Sequence, residues 1–150
     1  MLSYVINRFS GLRSVDAVEV LPVGWRAHRE GVDKLLRSFH AVPEGQRVRL
    51  AKKTSNLFRG RSGEQAGLDV SGLGGVIEVD PIAQTAEVQG MCTYEDLVDA
   101  TLPHGLMPFV VPQLKTITLG GAVTGMGVES TSFRDGLPHE SVPVSYTHLR

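Results

Sequence analysis

The chain has 150 residues, a formal net charge of -1, 41% hydrophobic and 21% charged residues. That length suits one domain, and near-neutral charge argues against a protein built mainly to bind nucleic acid. One cysteine, Cys92, excludes an internal disulfide and argues against a cysteine-based zinc site; no apolar run is long enough to span a membrane, the opening MLSYVINRFSGLRS has no continuous signal-peptide core, and the default compartment is the cytoplasm.

No element is assigned over 1–14. Over 28–40, HREGVDKLLRSFH places Val32, Leu35, Leu36 and Phe39 on one helical stripe. VPEGQ breaks that helix, and the alternating RVRLA over 47–51 predicts a short strand. A polar loop is expected over 52–67, then a strand over 75–80, a turn at Asp80-Pro81 and a returning strand over 85–90, which together make a hairpin. Thr93 caps the next helix with Asp96 in the capping-box position, and Tyr94, Leu97, Val98 and Leu102 form its apolar face. Pro103 and Gly105 end it, and LMPFVVP over 106–112 predicts a strand that is short or at an edge, because Pro108 lacks an amide donor. Mixed strands and helices without strict alternation give an α+β class, with a seam of glycine and polar residues over 60–74.

Two segments carry the candidate chemistry. The window from Arg47 to Arg61 holds Arg47, Arg49, Lys52, Lys53, Arg59 and Arg61, with Thr54, Ser55 and Asn56 directly after the lysine pair. Cations, hydroxyls and an amide at a strand end suit a phosphate or pyrophosphate. A solvated basic loop is the plainer reading, and a nucleic-acid patch lacks interleaved aromatic residues. The second segment is TLGGAVTGMGVESTSFRDG, Thr118 to Gly136. Met126 after Gly125 excludes a Walker A loop, Ser130 replaces the third glycine of a Rossmann fingerprint, and Gly121 with Gly125 lacks a surrounding membrane span. Tight turns and close helix packing account for some of these glycines. Close backbone approach to a polar ligand would account for Glu129 and the hydroxyl residues as well.

The histidines at 28, 40, 104, 139 and 148 show no metal-ligand spacing, and no metal site is expected. His28 and His40 are expected on a helix surface. Cys92 precedes a helix N-terminus, which lowers a thiol pKa, but a small buried apolar residue is the plainer reading.

Several motifs occur together: VIEVD over 76–80, AEVQG over 86–90, T-x-x-D-L from Thr93, H-G-L-x-P from His104, T-x-G-G from Thr118 and G-x-G-x-E-S-x-S from Gly125. In this order they resemble the PCMH-type FAD-binding domain of the vanillyl-alcohol-oxidase and cresol-hydroxylase superfamily. The last motif resembles the Diminuto-like branch, the delta-24 sterol reductases. The resemblance covers roughly 15–142 and is densest over 75–142.

The resemblance implies two α/β subdomains with FAD between them, the first over 15–70 and the second, incomplete, over 71–142, after an N-terminal extension over 1–14. The closing PVSYTHLR departs from the family's continuation, so 143–150 are expected to be a non-native tail. The implied cofactor contacts are Lys52, Lys53, Thr54, Ser55, Asn56 and Leu57 on one wall. The other wall is Pro112, Thr116, Thr118, Gly120, Gly121, Gly125, Gly127, Glu129, Ser130 and Ser132. The basic loop lacks the family's usual arginine and glycine, and also its usual histidine for covalent attachment, so non-covalent FAD is implied. Catalytic residues are not identified. The implied activity is hydride transfer between flavin and an organic substrate, in that branch C=C reduction with NADPH or NADH as electron donor. A flavin-dependent alcohol or aldonolactone oxidase is the rival within the superfamily, and a non-catalytic nucleotide-binding module the rival from another class. The substrate, sterol-like or an alcohol, would be met by a cap domain outside these residues. The 150-residue chain alone is expected to bind FAD poorly and to turn over nothing.

Overall fold

The computed structural model describes residues 1–8, 21–52 and 66–145. In chain order the elements are β1 (Leu2–Arg8), α1 (Gly24–His40), β2 (Val48–Leu50), β3 (Ala66–Leu68), β4 (Val76–Asp80), β5 (Thr85–Val88) and α2 (Tyr94–Thr101). A 3-10 turn (Leu102–His104), β6 (Leu106–Pro108), α3 (Leu119–Thr124), α4 (Ser132–Asp135), a second 3-10 turn (Pro138–Ser141) and β7 (Val144–Ser145) follow. The architecture is α+β. A five-stranded antiparallel sheet runs β4-β5-β1-β6, with β7 also on β1, and β2 and β3 form a separate parallel pair.

The strand over 2–8 is the main element that sequence patterning did not assign. Leu2, Tyr4 and Ile6 alternate into the core, as a half-buried strand requires. β1 pairs with β5 through Leu2–Val5 and with β6 through Ile6–Arg8, so it is an inner strand of the sheet. Val144 and Ser145, within the stretch expected to be a tail, pair with Ser3 and Leu2.

The hairpin forms as expected. Asp80 Oδ1 accepts from the amides of Ile82 and Ala83, both at 2.8 Å, closing the turn between β4 and β5. β6 is short and lies at the sheet edge, where Pro108 costs no ladder bond.

α2 begins where Thr93 Oγ1 accepts from the Asp96 amide at 3.1 Å. The Thr93 hydroxyl also donates to Asp96 Oδ2 at 2.6 Å, so the pair bonds side chain to side chain. Its buried face is Tyr94, Leu97, Ala100 and Thr101, one step round from the expected stripe: Val98 and Leu102 are only half-buried. Burying a side chain such as Leu97 contributes about 2 kcal/mol. Tyr4, Ile6, Val76, Val88, Leu106 and Leu119 complete the centre of this core.

α1 starts four residues before the expected boundary and is fixed to the sheet by an unexpected contact. Its buried residue is Gly31, whose backbone lies on Gly72; a Cβ at Gly31 would stand 2.3 Å from the Gly72 carbonyl oxygen. Val32, Leu35 and Leu36 are half-buried, and Phe39 is exposed. Beside that contact, buried Gln89 joins three segments. Its Oε1 accepts from the Gly75 amide at 2.7 Å, its Nε2 donates to the Gly72 carbonyl at 3.1 Å, and Nδ1 of His28 lies 3.2 Å from Nε2.

Candidate functional site

The glycine segment is not one continuous loop. Its first part is α3. Thr118 caps it, with Oγ1 accepting from the Gly121 amide at 3.2 Å. The Leu119 amide donates to the Cys92 carbonyl at 2.8 Å and the Gly120 amide to the Gly90 carbonyl at 2.9 Å. The first amides of α3 are thus engaged within the protein, and they do not form an open cradle for an anion. A Cβ at Gly120 would lie 2.6 Å from the Gly90 oxygen, so this glycine lets α3 pass the neighbouring backbone. Thr118 is buried, Gly121 is exposed, and Thr124 Oγ1 donates back to the Gly120 carbonyl at 2.7 Å.

The second part, from Gly125 to Ser132, is different. Gly125 ends α3 with its amide on the Gly121 carbonyl, and the Gly127 amide bonds the Ala122 carbonyl at 3.0 Å. A Cβ at Gly127 would make only ordinary contacts, the nearest at 3.6 Å. Between these glycines Met126 has φ +48°, and both Met126 and Val128 are exposed. Glu129 and Ser132 hold each other: the Glu129 amide donates to Ser132 Oγ at 3.0 Å and the Ser132 amide to the Glu129 carbonyl at 2.9 Å. Thr131 Oγ1 donates to the Phe109 carbonyl at 3.2 Å and ties this turn to the strand region. Glu129 is half-buried near Tyr94. Burial first, then the neighbouring Tyr4 phenol, with a smaller push from the Glu129 carboxylate, raise the Tyr94 pKa far above its ordinary value. Pro112 is buried, while Thr116 and Ser130 are exposed.

On the other expected wall, Lys52 lies exposed just beyond β2, and Lys53, Thr54, Ser55, Asn56 and Leu57 lie outside the described residues. A cleft of about 610 Å³ opens between α1 and the turn at 71–76. Leu21, Val23 and Ala27 give it an apolar side; Glu30, Lys34 and Asp96 bring charge. Among the described residues, none of the expected cofactor residues lines it. Among its described lining residues Lys34 is the cation, and it already bonds Ser71 and Asp69.

The remaining candidates resolve simply. Cys92 is fully buried, and burial, with a smaller contribution from Asp96, pushes its thiol up to about 12. It is a packed core residue, not an activated nucleophile. His28 is half-buried against Gln89 and is not the plain surface residue expected; His139 is exposed. Sequence reasoning missed Gln89 and Gly31. A glutamine on an alternating strand and a glycine on a helix give no signal until the partner segment is known.

The residues present fit part of a flavin dinucleotide. Within Gly121–Ser130 the open backbone is at Gly127, beside the exposed apolar Met126 and Val128 and the exposed Ser130, a mix that suits a ring or a polyol chain. Countercharge for a diphosphate has to come from elsewhere, and Lys52 stands at the entry to the basic loop.

This α+β chain belongs to the FAD binding domain family, which matches residues 27–143. The PCMH-type resemblance read from the motifs is borne out at that level. Among individual proteins, the Delta(24)-sterol reductase of Pisum sativum is 28% identical over 75 residues, which are 50% of this chain and 13% of the reductase. The matched region is thus a small part of that relative's length. No solved structure matches the chain. Among the described residues, no helix is long and apolar enough to cross a membrane.

Proposed function

We propose that this chain is the FAD-binding portion of an FAD-dependent oxidoreductase similar to the delta-24 sterol reductases. The observation that carries the reading is the likeness to the pea reductase, on a chain whose family is that of FAD binding domains. When bound, FAD supplies hydride transfer to or from a carbon of an organic substrate; in C=C reduction the second carbon takes a proton and NADPH or NADH restores the electrons.

The chain's own residues bind and orient. Segments 15–70 and 71–142 supply the two walls of the cofactor site. Lys52 and Lys53, with Thr54, Ser55, Asn56 and Leu57, offset and bond the diphosphate. Pro112, Thr116 and Thr118 shape the second wall and Gly120 sets the path of α3. Gly121, Gly125, Gly127, Glu129, Ser130 and Ser132 meet the ribityl chain and the rings. No histidine stands in the 52–57 loop, so FAD is held without a covalent bond.

The test is a titration of the purified chain with FAD, followed by acid precipitation. Saturable, weak binding with all flavin in the supernatant is expected. Flavin in the pellet rules out non-covalent attachment. In the whole protein, NADPH- or NADH-dependent reduction of a sterol side-chain double bond is expected; an enzyme that only oxidises alcohols would replace the reductase reading.

A further inference from the structure

His28 and Gln89 meet where α1 rests on the sheet, and the geometry there admits one protonation state of the ring. The Gln89 amide has a fixed orientation: Oε1 accepts from the Gly75 amide at 2.7 Å and Nε2 donates to the Gly72 carbonyl at 3.1 Å. A flipped amide would set like groups together at both bonds. The second Nε2 hydrogen faces Nδ1 of His28 at 3.2 Å, so Nδ1 accepts and the ring proton sits on Nε2 of the histidine. A further proton goes to Nδ1 and sets two donors against each other. Gln89 is buried and bound on both other sides, so it does not turn to relieve them.

The same face of α1 carries Gly31, one turn on from His28, with its backbone on Gly72. Other contacts tie α1 down through groups that do not titrate between pH 5 and 8. The Val23 amide donates to the Val76 carbonyl at 2.8 Å, Lys34 bonds Ser71 and Asp69, and Ser38 Oγ accepts from the Asp69 amide at 2.9 Å. His28 is the member of this seam whose charge changes in that range. Charges act on it from several elements. Arg29 on α1 and the Met1 amine at the start of β1 oppose a second positive charge, and Glu87 of β5 faces that amine. Glu78 of β4 holds Nε1 of Trp25, whose ring meets the His28 ring edge-on at 5.9 Å. Glu30, Lys34 and Asp96 line the cleft that Gln89 also lines.

We propose that the His28–Gln89 contact is a pH-sensitive latch between the two walls of the cofactor site, closed while His28 is neutral and released when it takes a proton. α1 belongs to the segment assigned to the first wall, and Gly72, Gly75 and Gln89 to the second, so the inference rests on the FAD-binding reading above. Release frees one wall from the other, and FAD binds more weakly in acid.

The experiment compares the wild-type chain with His28→Gln and His28→Leu at pH values where circular dichroism shows them folded. The glutamine oxygen accepts from Gln89 Nε2 without titrating; leucine offers no acceptor. Trp25, the single tryptophan, reports the latch itself. Its fluorescence is expected to titrate in wild type with a midpoint below 6.5 and to stay level in H28Q. FAD affinity is expected to fall about three- to tenfold between pH 7 and 5 in wild type, and to stay level in H28Q. In H28L it is expected to be weak at both pH values. Parallel pH profiles of FAD affinity in wild type and H28Q overturn the inference while leaving FAD binding intact. So does a Trp25 signal that titrates equally in the two proteins. A wild-type chain that takes up no FAD at pH 7 removes the FAD-binding reading, and with it a latch between cofactor walls, even where Trp25 titrates as expected.

Discussion

Gly31 and Gly127 are both glycines in or beside a helix, yet they stand for opposite cases. At Gly31 the protein fills the space: the Gly72 backbone lies where a side chain would be. At Gly127 it leaves the space open, and an added Cβ would meet only ordinary contacts. Gly72 and Gly120 belong with Gly31, since each passes another backbone closely. Glycine richness therefore has two causes in this chain. Packing accounts for the seam between α1 and the sheet and for the first turn of α3. After α3 it accounts for Gly125, whose Cβ would lie 2.8 Å from the Gly121 oxygen, and for Gly136, at φ +77°, but not for Gly127.

The contrast can be broken most forcefully at the seam. Gly31→Ala forces the Gly72 backbone to move and is expected to destabilise the chain by about 2–3 kcal/mol, read as a lower thermal or denaturant midpoint. A neutral result would remove the packing account of that glycine. Gln89→Leu comes next. It leaves the Gly72 carbonyl and the Gly75 amide without their side-chain partner, at a cost of about 2 kcal/mol. Denaturant titration should show the loss.

A smaller effect is expected from pH. Burial, with help from the N-terminal amine and Arg29, lowers the His28 pKa below 6.5. Gln89 Nε2 also favours the neutral ring, because Nδ1 must accept. A base with a lowered folded pKa keeps its full stability above the unfolded value near 6.5, and loses it as pH falls from there through the folded value. Wild type should therefore lose more melting temperature than His28→Gln between pH 7 and 5. Parallel curves would remove His28 as the sensitive group. The smallest stability effect is at the open glycine: Gly127→Ala should lie within about 0.5 kcal/mol of wild type. Its FAD affinity should nevertheless fall, and a substitution silent in both assays would return Gly127 to the surface.

Much of the fold was legible where the pattern is local. The β4–β5 hairpin, the Thr93 cap and the end of α1 follow from turn residues, a capping threonine and a stripe of apolar residues. β1 was not legible, because its alternation Leu2, Tyr4, Ile6 is interrupted by Val5 and lies in a stretch with no flanking turn signal. α3 was hidden for a different reason: Gly120 and Gly121 have poor helix propensity, and only the backbone of Gly90 and the Thr118 cap show why the helix forms there. The candidate site was legible as a glycine-rich segment, but its sequence could not separate glycines that pack from those that do not. That division depends on contacts between residues far apart in the chain.

The central claim, that this chain holds FAD non-covalently through its glycine segment, is tested most directly by titrating FAD into the purified 150-residue chain and into Gly127→Leu, with bound flavin read by fluorescence. Saturable binding by the wild type that weakens markedly in the variant, at equal thermal stability, is the predicted result. No uptake of FAD by a folded wild-type chain would contradict it.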